Sequence, residues 1–265
     1  MTLLQVKGPA GNLNVDDGGY GGLPVVFIHS AGGNTTHWAA QLAHVRKTRR
    51  ALALDLRGHG LSQPPRDGDY RLVSQTRDID AVVNQAGIRN FVLVGHSMGG
   101  SVSVAYAGFH PDRVSGLLMV DTGGDSRQFS ETQRQQIIKA MKSDAFATVT
   151  DIYWGQLLEG SLPEVYERVM NDMKKMPKEM VISQVRELFL FDPKPSLSRY
   201  QGPKLAVVTT SNDTKFSLHR LHPGFPRVVV KGTGHWIQLD RPDEFNRILD
   251  GFLAQVDTCR QTLDS

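Results

Sequence analysis

The chain has 265 residues, of which 40% are hydrophobic and 22% charged, with a formal net charge of +3. The apolar share suffices for one sizeable core, and α/β folds of this length run as a single unit. A small positive balance without a dense Lys/Arg cluster leaves no electrostatic footprint for nucleic acid or an anionic membrane, so neither is expected as a partner.

In chain order, residues 3–7 and 12–16 read as an antiparallel edge hairpin, followed by an apolar strand over 25–29. His29-Ser30-Ala31-Gly32-Gly33 is a glycine-rich loop, and a helix is expected over 35–45. Four basic residues between Arg46 and Arg50 suit the C-terminal end of that helix, where the dipole favours cations. A strand over 51–55 leads into Asp55-Leu56-Arg57-Gly58-His59-Gly60-Leu61-Ser62, and a helix follows over 74–85. Glycines 58 and 60 do not open a dinucleotide loop, because no Gly-x-Gly-x-x-Gly spacing follows the strand.

The most informative stretch comes next. The apolar strand over 91–95 runs into Gly95-His96-Ser97-Met98-Gly99-Gly100, with a helix expected over 98–109. A sharp strand-to-helix turn of this kind projects a serine hydroxyl above the sheet edge, because glycines at 95 and 99 remove the side chains that would block the bend. The free N–H groups at the start of the helix face the place where an oxyanion would form. Ser97 is therefore the candidate nucleophile.

A strand over 117–120 ends in Asp121, and from 122 to 202 the alternation of strand and helix stops: the segment reads as helices alone. Ser130-Glu131-Thr132-Gln133 and Ser161-Leu162-Pro163-Glu164 both have capping-box spacing. Met141, Tyr153, Trp154, Met170, Met173, Met176, Met180, Phe189 and Phe191 give the segment adaptable apolar side chains. Any one of them serves either to glue a cap to the body or to contact an apolar substrate.

A strand over 205–209 ends at Ser211-Asn212-Asp213, and a last strand over 227–231 leads to Gly232-Thr233-Gly234-His235. His235 is the candidate general base, and Asp213 is the favoured acid, able to hold its tautomer. The order Ser97, Asp213, His235 is that of nucleophile, acid and base in α/β-hydrolases. Asp121 is the alternative acid; otherwise it caps its strand. His96 and Arg57 read as loop-shaping residues. His219 and His222 lack the cysteine or carboxylate company of a metal pair and read as a solvated loop, so no metal is expected. A final helix is expected over 242–255, with 257–265 as a polar tail. The lone Cys259 excludes an internal disulfide, and no secretory signal or membrane segment is legible, so a cytoplasmic protein is expected.

Four of these segments together resemble the α/β-hydrolase superfamily, and the resemblance covers nearly the whole chain. They are the His29 loop with Trp38 nine positions on, the Asp55 to Ser62 turn, the serine turn, and the His235 segment with Asp240 and Pro242 downstream. The resemblance implies an α/β fold with a mostly parallel eight-stranded sheet covered by helices on both faces. It implies a core made of residues 1–121 and 203–265, and a helical cap at 122–202 inserted after strand six. It also implies an oxyanion hole from the backbone N–H groups of Ala31 and Met98. Two departures stand out: Ser30 replaces a usual glycine, where its hydroxyl either adds a donor or crowds the loop, and the family register for the acid falls on Asn212, one residue before Asp213. Ser30, Trp38, Trp154 and Trp236 are the candidate pocket residues.

The expected activity is that of a cofactor-free serine esterase acting on small or medium apolar substrates. Lactone, carbon–carbon bond and peracid chemistry share the same triad. The non-enzyme alternative is a small-molecule sensor with vestigial turnover.

Overall fold

The computed structural model describes residues 2–126, 129–222 and 224–264. Eight strands form one sheet: β1 (Thr2–Gly8), β2 (Gly11–Gly18), β3 (Val25–Ile28), β4 (Ala51–Leu54), β5 (Phe91–His96), β6 (Val114–Val120), β7 (Lys204–Thr209) and β8 (Arg227–Val230). Their spatial order is β1-β2-β4-β3-β5-β6-β7-β8. The hairpin β1–β2 and the β2–β4 pair are antiparallel, and every later pair is parallel.

The central strands are apolar on both faces, as strands of a covered parallel sheet are. Their two-residue period divides them between two cores. Val26, Ile28 and Leu93 join a cluster under α2 (Leu72–Gln85) and α3 (Met98–Phe109), whereas Val25, Phe27, Val92 and Val94 join one under α1 (Ala39–Val45) and the long C-terminal helix. All eight expected strands and the expected α/β architecture are present.

Between β6 and β7 the described residues form α4 (Glu131–Lys142), α5 (Phe146–Leu157), α6 (Pro163–Lys174), α7 (Lys178–Leu190) and α8 (Lys194–Arg199), with no strand. Trp154, Leu158, Val165, Val169, Met170, Met173 and Val181 of this segment form a small third core with Trp236. α8 is different. Leu197 and the following Tyr200 belong to the main core, and a Cβ at Gly108 of α3 would lie 2.6 Å from Ser196 Cα. The expected cap limit at 202 is therefore late, since α8 packs as part of the body.

The capping boxes divide. Ser130 and Gln133 make both reciprocal bonds at the start of α4, whereas the α6 N-cap is Leu162, with no side-chain cap. Ser161 instead donates to Asp240 on α9 (Ile237–Asp240). The last helix, α10 (Pro242–Asp264), extends through the expected polar tail, and Arg49 holds Asp257 on it. Among the described residues, no helix is long and apolar enough to cross a membrane.

Candidate active site

Open α/β sheets present their functional loops beyond the carboxyl ends of the parallel strands, where the strand order reverses. Here that region gathers the loops after β3, β5, β6, β7 and β8. His96 pairs with Val120 across β5 and β6, so Ser97 and Asp121 are the next residues on adjacent strands. Both bend sharply there. Ser97 has φ 54° and Asp121 φ 43°, and these are the positive-φ residues other than glycine in the described chain. Such backbone costs of order 1–3 kcal/mol and persists where its surroundings fix it. The Ser97 N–H donates to Val120 O at 2.9 Å and the Asp121 N–H to Val207 O at 2.7 Å.

Glycines make the serine turn possible. A Cβ at Gly99 would lie 2.7 Å from Ile28 O, and one at Gly95 would lie 2.6 Å from Gly99 O. Both distances are shorter than real Cβ contacts, so α3 can approach β3 this closely only with glycine there. Ser97 itself stays partly exposed.

His235 is held on every side except one. Asp121 Oδ2 accepts from Nδ1 at 2.6 Å, the His235 N–H donates to Leu157 O at the end of α5, and His96 Nε2 donates to the His235 carbonyl, both at 2.9 Å. His235 Nε2 is buried and has no protein partner. A neutral imidazole arranged this way carries its proton on Nδ1 and presents the Nε2 lone pair as an acceptor. His96 is kept uncharged by burial, which pushes its pKa well below the usual histidine value, and Gln238 Nε2 donates to its Nδ1 at 3.1 Å.

The carboxylate beside His235 is Asp121, and the expectation for Asp213 is corrected. Asp213 accepts from His219 Nε2 at 2.9 Å, Arg220 at 3.2 Å and Arg227 Nε at 3.0 Å, away from the site. The reason is the turn after β7, where the Asn212 N–H donates to Thr209 Oγ1 and the Asn212 side chain points toward Asp121. The next side chain along then faces the start of β8. His219, expected in a solvated loop, is buried by this pairing.

The loop after β3 brings Ala31 and Met98 to the same end of the sheet. Met98 opens α3, so its N–H lacks a helical acceptor. The His29 ring is buried and braces the loop, accepting from the Leu56 N–H at 2.9 Å and donating to Ser30 O at 2.7 Å; burial lowers its pKa to about 3. The Ser30 hydroxyl donates to Ala31 O at 3.1 Å, so it serves its own loop. From above, Met173 and Met176 close on this loop: a Cβ at Gly32 would lie 3.0 Å from Met176 Sδ.

Asp55 ties two loops together, accepting from the Thr35 N–H at 2.6 Å and from the Leu61 N–H and Asn14 Nδ2 at 2.9 Å. Arg57 is clamped bidentately by Asp78 at 2.6 and 2.7 Å, which fits its reading as a loop-shaping residue. Of the expected pocket residues, Trp38 is fully buried between Phe27 and Phe245, with centroids 5.0 and 6.1 Å away, and belongs to the core. Trp154 and Trp236 lie in the third core, where Trp236 meets the His235 ring edge-on at 5.0 Å.

Three supporting roles escaped sequence reasoning. Thr209 and Asn212 bond Asp121, Gln238 fixes His96, and Asp240 accepts from Ser161 Oγ, the Leu162 N–H, Thr233 Oγ1 and the Gly234 N–H. The register of Asn212 and the place of Asp240 in the His235 segment were the signals beforehand.

Residues 24–242 match the family model described as alpha/beta hydrolase fold. The chain belongs to the alpha/beta hydrolase fold family. Among curated α/β-hydrolase relatives, 3-oxoadipate enol-lactonase 2 of Acinetobacter baylyi is 26% identical, over 87% of this chain and 88% of that protein. A dihydrolipoyllysine-residue acetyltransferase component of the acetoin cleaving system of Pseudomonas putida is 28% identical over 90% of this chain, which spans 65% of the length of that relative. Among solved α/β-hydrolase structures, Est816, described as an N-acyl homoserine lactone degrading enzyme, superposes with a TM-score of 0.81 at 27% identity, covering 94% of this chain and 100% of that one.

Proposed function

We propose that this α/β-hydrolase family member is a cofactor-free serine hydrolase that cleaves carboxylic esters of small or medium apolar substrates through an acyl-enzyme. The observation that carries the reading is the state of His235, whose Nδ1 is committed to Asp121 while its Nε2 is buried and unpartnered and its ring lies 4.7 Å from that of His96, the residue before Ser97. In the proposed reaction, Ser97 Oγ attacks the ester carbonyl carbon and its proton passes to His235 Nε2. Asp121 stabilises the imidazolium without taking that proton. The N–H groups of Met98 and Ala31 hold the oxyanion, and loss of one such donor typically costs about 10²–10³ in rate. Collapse breaks the carbon–oxygen bond and the leaving alkoxide takes the proton from Nε2. Water then attacks the acyl-enzyme by the same steps in reverse order of roles, releasing the acid and restoring Ser97.

We treat the helical segment within 122–202 as a lid whose Met173 and Met176 shape the acyl side, because both sulfurs crowd Gly32 beside Ala31. A lactone is an ester closed on itself, and the names of the Acinetobacter relative and of Est816 favour lactones as a second substrate form. The test is a steady-state screen of p-nitrophenyl esters and lactones of graded size against the wild type and Ser97→Ala. Multiple turnovers lost in Ser97→Ala support the reading. A single slow turnover accompanied by a large thermal shift points to the sensor alternative instead.

A further inference from the structure

We infer that Asn212 is a positioning residue of this site: its carboxamide orients Asp121 so that Oδ2 is presented to His235. The inference rests on the hydrolase reading above and adds a residue to it. The two oxygens of Asp121 live in different surroundings. Oδ1 accepts from the Thr209 N–H at 2.7 Å, the Thr209 hydroxyl at 3.0 Å and Asn212 Nδ2 at 3.1 Å. Oδ2 faces His235 Nδ1 at 2.6 Å, with the Thr209 hydroxyl at 3.2 Å. Donors thus crowd one oxygen and leave the other for the imidazole.

Asn212 is built to hold still. Its Nδ2 reaches Thr122 O at 3.2 Å as well as Asp121, its N–H donates to Thr209 Oγ1 at 3.2 Å, and its carbonyl accepts the Ser217 hydroxyl. The amide therefore braces the strained Asp121 backbone from the neighbouring strand end. Charge-assisted hydrogen bonds of this kind are stronger than neutral ones, and each one also stabilises the ionised carboxylate.

The consequence is a distinctive pH behaviour. The titratable groups against His235 and its loop are Asp121 from β6, His96 from β5, and Asp240 from α9 through the Gly234 N–H; α5 contributes the Leu157 carbonyl. Removing the Asn212 donor leaves Asp121 less satisfied, so the imidazolium is held more tightly and the base is freed only at higher pH. A carboxylate at position 212 adds a second negative charge near the ring and moves the balance further the same way.

The experiment measures kcat, KM and the pH profile of kcat/KM on a short-chain p-nitrophenyl ester for wild type, Asn212→Leu and Asn212→Asp, with Ser97 labelling by a fluorophosphonate as a separate readout. Asn212→Leu is expected to lower kcat roughly tenfold with KM unchanged. The acidic limb moves to higher pH, and by about one unit in the near-isosteric Asn212→Asp, which serves should the leucine variant fail to fold. An acidic limb unmoved in the folded variants overturns the inference even if kcat falls, since a merely structural asparagine would do that much. If the wild type neither turns over esters nor labels at Ser97, the hydrolase reading fails and takes this inference with it.

Discussion

His235 receives its carboxylate from the end of β6: Asp121 Oδ2 lies 2.6 Å from His235 Nδ1. Asp121→Asn is therefore expected to lower kcat by about 10⁴, the size seen for the equivalent change in a well-studied serine protease. The local donors explain the mechanism. They pin the amide oxygen at the Oδ1 position, so the NH₂ group faces Nδ1 and forces the imidazole proton onto Nε2, where the base can no longer accept. Asp213→Asn keeps kcat close to wild type and loses stability through its pairs with His219, Arg220 and Arg227. The reverse outcome in steady-state kinetics would return the acid to 213.

The strands were legible because each is a short apolar or alternating run bounded by turn residues, and the serine turn because its glycines and flanking strand leave one conformation. The choice between Asp213 and Asp121 was not legible, because a carboxylate at a strand end reads the same whether it faces the site or other partners. The choice depends on the turn after β7, where the Thr209 hydroxyl caps the Asn212 N–H and sends residues 212 and 213 opposite ways. Trp38 misled for a similar reason: a tryptophan near a loop lines a cavity or fills a core according to the α1 to α10 packing, which periodicity does not contain. Ser161 had capping-box spacing, but Asp240 outcompeted the α6 N-terminus for its hydroxyl.

Asp240 joins the helical segment to the histidine loop through four donors, two from each side. In Asp240→Asn, an amide whose oxygen serves Ser161, Thr233 and Gly234 turns its NH₂ toward the Leu162 N–H. One donor pair then clashes, and the variant should lose about 1–3 kcal/mol. Hydrogen exchange should rise at the junction of α5 and α6 and in residues 232–236, with kcat falling because the Leu157 contact to the His235 N–H loosens. Unchanged exchange at both places would show that the clamp is not what holds them.

Four buried histidines make stability depend on pH. Burial lowers the pKa of His29 and His59 to about 3, lowers His96 far below 6.5, and lowers His37. Below the unfolded value the open chain takes up protons that the folded chain refuses. For His29 and His59 the contribution is therefore complete above about pH 6.5 and declines as pH falls toward 3, by up to about 1.4 kcal/mol per pH unit for each ring, and His96 and His37 act in the same direction. Asp172, hydrogen-bonded by His37 and lowered to about 2, adds a second loss beneath 3.8. The melting temperature should fall steadily from pH 6.5 to 4.5, with a shallower slope in His59→Gln. A flat profile over that range would contradict the neutral buried rings.

Trp38→Phe should lower the melting temperature, because the ring fills the space between Phe27 and Phe245, and leave the ranking of acyl-chain lengths unchanged. A reordered ranking in an ester series would place Trp38 against substrate after all.

Reaction with a fluorophosphonate followed by peptide mass spectrometry tests most directly whether Ser97 is an activated nucleophile. The expected result is one adduct on Ser97 in the wild type, strongly slowed in His235→Ala and absent in Ser97→Ala. A folded wild type with no adduct on Ser97, or labelling equally fast without His235, would contradict it.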